Sequence, residues 1–179
     1  MGRARLVGGA LQSGMALLGV TLAVGTASAT AASLPGDLDR GRGVFYATGG
    51  CTCHTNYPGE GESAPPLAGG RALKTPFGVF YSTNITSDAK TGIGGWSDAD
   101  FIRAMREGLS PEGGNYFPVF PYPSFTGLDD QDLVDLKAYL DSLPTTEREN
   151  KPPGAPFPFS WRATLVGWKW MNFSPGRIE

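Results

Sequence analysis

The chain has 179 residues, a formal net charge of −2 and a pI of about 5.4, so we expect one domain with a modest core. It contains no run of basic residues and no interleaving of basic with aromatic residues, which excludes a typical nucleic-acid-binding surface. The 26 glycines and 15 prolines indicate that much of the fold is loop.

Residues 1–32 have the pattern of a secretory signal peptide. Arg3 and Arg5 form a basic start, residues 11–24 are apolar, and residues 27–29 read Ala-Ser-Ala, an A-x-A cleavage site. The apolar stretch is rich in small residues, so it is poorly suited to be a membrane anchor. No twin arginine is present, which favours the Sec route. The pattern predicts export to the periplasm, with association at the inner membrane left open.

Residues 37–48 predict the first helix. Asp37 or Asp39 can cap its start, because a carboxylate accepts hydrogen bonds from the first free backbone N–H groups. Gly41 and Gly43 are costly inside a helix. A glycine there allows a second helix to approach closely.

The two cysteines and the only histidine follow this helix as Cys51-Thr52-Cys53-His54. A Cys-His pair with a second Cys just upstream is typical of c-type haem attachment. The thiols add to the haem vinyl groups, and the adjacent imidazole becomes the proximal iron ligand. The standard spacing is C-x-x-C-H, whereas this chain has C-x-C-H with Gly50 where the first cysteine is expected. We interpret the motif as a site for one covalent haem c, bound by Cys51, Cys53 and His54, with the iron on His54.

Three alternatives compete with this interpretation. Cys51 and Cys53 can form a small, strained disulfide, which is typical of a labile thiol–disulfide redox protein. A zinc or disulfide staple is the purely structural alternative, but the motif supplies only three of the four ligands of a structural zinc site. The last alternative is a degenerate haem domain that serves as a binding module.

The middle of the chain is predicted as loop with two further helices. Residues 55–95 lack a long periodic segment, and only residues 79–81 suggest a short extended piece. Residues 97–108 and 129–143 have helical periodicity, a capping residue at the start and Gly108 or Pro144 at the end. Residues 110–127 are rich in proline and aromatic residues, which suits either the wall of an apolar pocket or plain core.

Residues 150–179 differ in composition from the rest. The prolines at 152, 153, 156 and 158 predict an extended linker, and residues 161–173 hold three of the four tryptophans. The segment is either a tail packed on the domain or a docking segment for a membrane surface, since Trp with Lys and Arg suits an interface.

Several sequence blocks, in order, resemble one known family. The blocks are LAGGR at 67–71, TPFG at 75–78, YSTNIT at 81–86, GIGGWSDADF at 92–101, FPY at 120–122 and DLKAYL at 135–140. They are similar to the first haem domain of the di- and trihaem cytochrome c subunits of membrane-bound alcohol and gluconate dehydrogenases. The resemblance implies an all-α, cytochrome c-like three-helix domain over residues 33–149 with long Pro/Gly-rich loops. Residues 150–179 then form a tail, or a connector that is cut short.

The resemblance also implies a function. The chain is expected to be an electron carrier, not an enzyme, that takes electrons from a periplasmic dehydrogenase subunit to a downstream acceptor in the respiratory chain. Cys53 and His54 match the family motif directly, and Cys51 matches in residue type only. Arg71 and Trp96 lie in blocks that reach haem propionates or else pack in the core.

The second axial ligand of the iron is not given by the motif. The family often has a methionine before the third helix, where this chain has Phe120 or Leu128, and neither side chain binds iron. Met105 and Met171 are the methionines left after signal removal. Met105 lies on an apolar helix face that also suits core packing. The iron is therefore expected to be five-coordinate, weakly ligated, or ligated by Met105 after rearrangement.

Overall fold

The computed structural model describes residues 34–57 and 64–176. The predicted signal peptide at 1–32 lies outside these residues and stays a prediction. The elements, in chain order, are α1 (Leu38–Ala47), a 3-10 turn (Thr52–His54), β1 (Ala72–Thr75), β2 (Gly78–Tyr81), α2 (Asp98–Glu107), α3 (Tyr122–Phe125), α4 (Asp130–Asp141) and α5 (Thr164–Asn172).

The three predicted helices are confirmed as α1, α2 and α4, with ends within two residues of the prediction. The Asp37 carboxylate accepts hydrogen bonds from the N–H groups of Asp39 and Arg40 at 2.9 and 3.0 Å. Ser97 and Asp100 form a reciprocal capping box at the start of α2. Local hydrogen bonds therefore set where these two helices begin.

The all-α prediction is wrong, because β1 and β2 form a two-stranded antiparallel sheet. Its register runs from Ala72↔Tyr81 to Thr75↔Gly78. The Thr75 hydroxyl closes the turn: it accepts from the Phe77 N–H at 3.1 Å and donates to the Gly78 carbonyl at 2.8 Å. Strands of four residues around a proline turn are too short to give a periodic pattern, so the sequence indicated only part of β2. In the described part of the chain, α3 and α5 are further helices beyond the predicted three.

Helices α1 and α4 cross at very close range. A Cβ atom added at Gly41 would lie 1.9 Å from the Asp135 carbonyl oxygen, so only glycine allows this approach. Next to the crossing, the rings of Phe45 and Tyr139 have centroids 5.3 Å apart. The buried Asp135 carboxylate accepts from the Asp37 N–H at 2.8 Å, and its second oxygen lies 3.1 Å from Arg40 Nε.

Replacing Gly41 with alanine is expected to destabilise the protein, since the new methyl group overlaps the backbone of α4. We expect a loss of about 1–3 kcal/mol or more in the free energy of unfolding, the range for overpacked sites. Gly43→Ala is the matched control, because a Cβ at Gly43 meets no atom within 4 Å and alanine favours the helix by about 1 kcal/mol. Urea unfolding of both variants measures the difference, and equal stabilities would contradict the close crossing.

The first core lies between α1, α2 and α4. Its buried members are Phe45, Leu67, Ile93, Phe101, Met105, Leu133, Leu136 and Leu140. Cys51, Trp96, Phe120 and Leu128 are half-buried and pack against it. The apolar faces of the three predicted helices therefore meet next to Cys51, in the turn that follows the end of α1.

A second core joins the hairpin to the last part of the chain. Phe80, Phe117 and Leu165 are its buried members. The Gly154 N–H donates to the Val79 carbonyl at 2.7 Å, so the chain after residue 150 pairs with the edge of β2. Residues 150–176 thus pack on the domain. Among the described residues, no helix has the length and apolar character needed to cross a membrane.

Candidate haem-attachment site

The turn that holds the cysteines starts with left-handed backbone. Gly49, Gly50 and Cys51 all have positive φ, and the φ of Cys51 is 49°. A non-glycine residue in this region costs roughly 1–2 kcal/mol. The 3-10 turn then closes when the His54 N–H donates to the Cys51 carbonyl at 2.8 Å. Both thiols are free; that of Cys51 is half-buried against the first core, and that of Cys53 is exposed.

The His54 ring is held by the main chain of a distant loop. Its Nδ1 lies 2.7 Å from the Thr83 carbonyl oxygen. A carbonyl can only accept, so Nδ1 carries the proton and Nε2 of the neutral ring keeps its lone pair. Burial lowers the pKa of His54, and the bond to Thr83 opposes this in part. The imidazole is therefore neutral at pH 7, with one nitrogen available to bind a metal.

Two loops, residues 67–69 and 83–85, contact each other and hold His54 in position. The Gly69 N–H donates to the His54 carbonyl at 2.8 Å, and the Ile85 N–H donates to the Leu67 carbonyl at 3.0 Å. The loops touch so closely that a Cβ at Gly69 would lie 2.4 Å from the Thr83 carbonyl carbon. Leu67, with φ of 64°, is the second non-glycine residue with positive φ in the described part of the chain. Such strained positions cluster at functional sites.

The Cys51 thiol does not have the environment of a reactive thiol. Burial, together with the neighbouring Cys53, raises the pKa of Cys51 to about 11. Redox-active cysteines instead have a lowered pKa in an electropositive setting. Residues 34–57 and 64–176 hold no group of three or more His, Cys, Asp or Glu side chains placed to hold a metal ion. The raised pKa of Cys51 weakens the thiol–disulfide alternative.

Alkylation of the apoprotein at pH 9 tests this difference between the thiols. We expect iodoacetamide to modify Cys53 at least about tenfold faster than Cys51, because the Cys51 thiol is half-buried and its pKa is raised to about 11. Mass spectrometry of the cysteine peptides over time gives both rates. In the control, urea-unfolded protein, the two rates should become similar. Faster modification of Cys51 in the folded protein would contradict the assigned environment.

The two residues predicted to lie near haem propionates occupy different surroundings. Arg71 donates from its guanidinium to the Thr52 carbonyl at 3.2 Å, and its Cζ lies 5.7 Å from the centre of the Tyr57 ring. Arg71 is thus beside the Cys-His turn. Trp96 is half-buried and packs against the first core, and its reach toward a haem propionate stays a prediction.

Of the two methionines considered as second axial ligand, Met105 shares an apolar cluster with Phe120 and Leu128, the residues that stand where the family often has a methionine. Met105 is 9% exposed and belongs to the first core, and Phe120 and Leu128 pack against the same core. Met171 lies on α5 and is exposed. The fold therefore brings Met105, but not Met171, to the cluster that Cys51 contacts. Ligation by Met105 stays a prediction.

Sequence reasoning missed the contribution of the loops at residues 67–69 and 83–85. Thr83 acts through its main-chain carbonyl, which any residue type provides, so no side-chain pattern could indicate it.

The same loop contains Asn84-Ile85-Thr86, which is formally a glycosylation sequon. Asn84 is buried, and its side-chain amide donates to Thr91 Oγ1 and the Thr146 carbonyl, so it has a structural role.

Comparison with known proteins gives the relationship of the chain. No protein-family model matches it. It is 44% identical to a diheme cytochrome c-type protein of Cereibacter sphaeroides over an alignment of 147 residues. That alignment covers 82% of this chain and 50% of the relative. Over 131 residues it is 38% identical to the gluconate 2-dehydrogenase cytochrome c subunit of Pantoea cypripedii, covering 72% of this chain and 29% of the relative. The chain is a relative of cytochrome c subunits.

This relationship confirms the resemblance expected from the sequence blocks. A cytochrome c subunit of a quinone-dependent alcohol dehydrogenase, from Gluconobacter oxydans, is 35% identical over 143 residues, or 78% of this chain and 29% of the relative. The chain spans half the length of the C. sphaeroides cytochrome and less than a third of the two subunits. Because these three relatives are named as cytochromes, the relationship supports an electron-carrying role and haem c as the cofactor.

Proposed function

We propose that this chain is a periplasmic c-type cytochrome domain that transfers single electrons through one covalently bound haem. The observation that carries the proposal is the His54 ring. Its Nδ1 donates to the Thr83 carbonyl at 2.7 Å, so the ring is oriented and its Nε2 is unprotonated, and Cys53 is the preceding residue of the chain. Metal-binding histidines typically donate their other ring N–H to a carbonyl or carboxylate in this way.

The residues of the turn fit a haem in residue type, although not in spacing. His54 would be the axial ligand, and the bond to Thr83 would raise the basicity of its ring. Cys53 would form a thioether, because its position next to His54 matches the standard motif. Cys51 is one residue closer to Cys53 than the standard motif has it, so its thioether is the less secure. When bound, the haem supplies a reversible one-electron couple. The first core, which Cys51 contacts, would exclude water from it.

The partners follow from the names of the relatives. Two of them are cytochrome c subunits of gluconate and alcohol dehydrogenases. The proposal therefore places a dehydrogenase subunit as electron donor and a component of the respiratory chain as acceptor. The chain itself would catalyse no bond chemistry.

A degenerate haem domain remains a second candidate. Gly50 stands where the first cysteine of the standard motif is expected, and Phe120 and Leu128 stand where the family often has a methionine. A domain that has lost these groups can persist as a binding module without a redox role. The thiol–disulfide function is less favoured, since the pKa of Cys51 is raised and not lowered.

Co-expression with a c-type haem maturation system separates these candidates. Haem that stays with the protein on a denaturing gel would support the carrier. The reduced pyridine haemochrome then reports how many vinyl groups have reacted, because an unreacted vinyl shifts its band to longer wavelength. A His54→Ala protein is the control and should fail to form a reducible, ligand-stable haem. An unstained wild-type band would reject the carrier and favour the degenerate domain.

Export is expected to precede haem attachment. Deletion of residues 1–29 should leave apoprotein in the cytoplasm, because export depends on the predicted signal and haem attachment takes place outside. Fractionation followed by haem staining measures the location of apo- and holoprotein. Holoprotein in the cytoplasm of the deletion strain would contradict the predicted route.

A further inference from the structure

The peptide group that holds the His54 ring has a second partner on its other side. Its carbonyl belongs to Thr83 and lies 2.7 Å from His54 Nδ1, and its N–H belongs to the next residue, Asn84. That N–H donates to Oδ1 of the Asn150 side chain at 2.7 Å. One peptide group therefore joins the imidazole to a side chain that lies far away in the sequence.

The orientation of the Asn150 side-chain amide is set at both of its ends. Its oxygen faces the Asn84 N–H, which can only donate, and its NH2 group donates to the Thr91 carbonyl at 2.9 Å, which can only accept. A flipped amide would lose both bonds. Asn150 is exposed and lies outside the helices and strands, so hydrogen bonds instead of core packing hold its side chain.

The loop at Thr83 and Asn84 has further anchors that do not involve Asn150. The Asn84 side chain is buried, and its NH2 group donates to Thr91 Oγ1 at 2.9 Å and to the Thr146 carbonyl at 2.7 Å. Its side-chain oxygen accepts from the Thr86 N–H at 2.9 Å. A substitution at Asn150 should therefore change the partner of one N–H and leave the loop in place.

We propose that Asn150 positions the His54 ring through the peptide group that lies between the two side chains. A peptide group whose N–H donates carries more negative charge on its carbonyl oxygen, because hydrogen bonds in a chain polarise one another. The bond to Asn150 thereby strengthens the bond from His54 to Thr83 and keeps the ring proton on Nδ1. Nε2 keeps its lone pair, and the ring becomes a stronger electron donor to a metal.

The single histidine of the chain allows a direct test in the full-length apoprotein. With histidine labelled with nitrogen-15, NMR at pH 8 shows one imidazole, and the shifts of its two nitrogens report which of them carries the proton. The wild type should carry it on Nδ1. Asn150→Leu keeps a similar shape but covers the Asn84 N–H with methyl groups. It should raise the population with the proton on Nε2 roughly two- to tenfold, the span that one net hydrogen bond supports.

Further variants at Asn150 separate this role from a general loss of structure. Asn150→Ala should change the His54 signals in the same direction but less, since water can then reach the Asn84 N–H. Asn150→Asp keeps an oxygen for that N–H and should have the tautomer of the wild type. Asn172→Leu is the matched control, because it makes the same exchange at an exposed asparagine, whose amide donates to the Trp168 carbonyl. It should leave the His54 signals unchanged.

Three results would overturn the proposal. The first is a wild-type tautomer in folded Asn150→Leu or Asn150→Ala protein. The second is a change in Asn150→Asp as large as that in Asn150→Leu, which would assign the effect to the lost bond to Thr91. The third is an equal change in Asn172→Leu. Circular dichroism shows whether each variant is folded.

The holoprotein gives a second readout, which rests on the proposed haem attachment. A weaker bond at Nδ1 makes the imidazole a poorer donor to ferric iron, so Asn150→Leu should raise the haem potential and Asn172→Leu should not. Absence of covalent haem in the wild type would reject the proposed function and leave the NMR result standing. Covalent haem in a wild type whose His54 signals do not respond to Asn150→Leu would reject the role of Asn150 alone.

Discussion

Cys53→Ala is expected to abolish covalent haem attachment, whereas Cys51→Ala is expected to retain it. Cys53 is exposed and lies in the same 3-10 turn as His54, so its thiol keeps the standard relation to the axial ligand. Cys51 lies outside that turn, with left-handed backbone and its thiol half-buried on the first core. Haem staining of a denaturing gel, normalised to protein, should fall to background for Cys53→Ala and stay near the wild-type level for Cys51→Ala.

A gain-of-function variant sharpens this test. Gly50→Cys restores the C-x-x-C-H spacing, and a Cβ at Gly50 would lie 3.5 Å from Phe45 Cε1, an ordinary contact. Its φ of 64° costs the new side chain roughly 1–2 kcal/mol, which the fold should tolerate. The pyridine haemochrome of this variant should move to the position of two thioethers. Equal loss of stain in Cys51→Ala and Cys53→Ala would show that both thiols are needed as they stand.

Leu128→Met is expected to close an open axial position and raise the haem potential. Leu128 packs on the first core, and its carbonyl accepts a hydrogen bond from the Arg106 guanidinium. The backbone at residue 128 is therefore held in place for a methionine side chain. Leucine and methionine have similar volumes, so the exchange should cost less than about 1.5 kcal/mol. The wild-type holoprotein should be high-spin in the ferric state and bind cyanide or imidazole readily.

The size of the change is measurable by redox titration. A thioether ligand favours ferrous iron, and a rise on the order of 0.1 V is well within the span of about 0.8 V that axial ligands cover. Leu128→Ile is the matched control, which changes the side chain without adding sulfur. If the wild-type ferric protein already shows a sulfur-to-iron band in the near infrared and Met105→Leu removes it, then Met105 is the ligand and the axial position is not open.

The features that the sequence predicted well depend on nearby residues. Asp37 caps α1 and Ser97 caps α2 through hydrogen bonds that span two or three positions, so a short window of sequence contains their cause. Gly41 also has its predicted role, because a glycine inside an amphipathic helix has few other reasons to be there. Gly43 does not, since its neighbourhood is open.

The features that the sequence did not predict depend on residues far apart in the chain. The outer edge of β2 pairs with Gly154, which lies more than seventy residues after the start of β2. The carbonyl that holds the His54 ring belongs to Thr83, and neither residue type specifies the pairing. In the same way, the motif named Cys51, Cys53 and His54, but only the fold shows that Cys51, Met105, Phe120 and Leu128 meet at one apolar cluster.

The fixation of His54 would affect the speed of electron transfer through a haem bound to its ring. The residue is held at its ring by the Thr83 carbonyl and at its own carbonyl by the Gly69 N–H, and the two holding loops touch each other. A ligand restrained at both ends shifts little when the charge on its metal changes by one. The nuclear rearrangement that accompanies each electron is then small, so this contact between the loops would lower the reorganisation energy of a haem bound to His54.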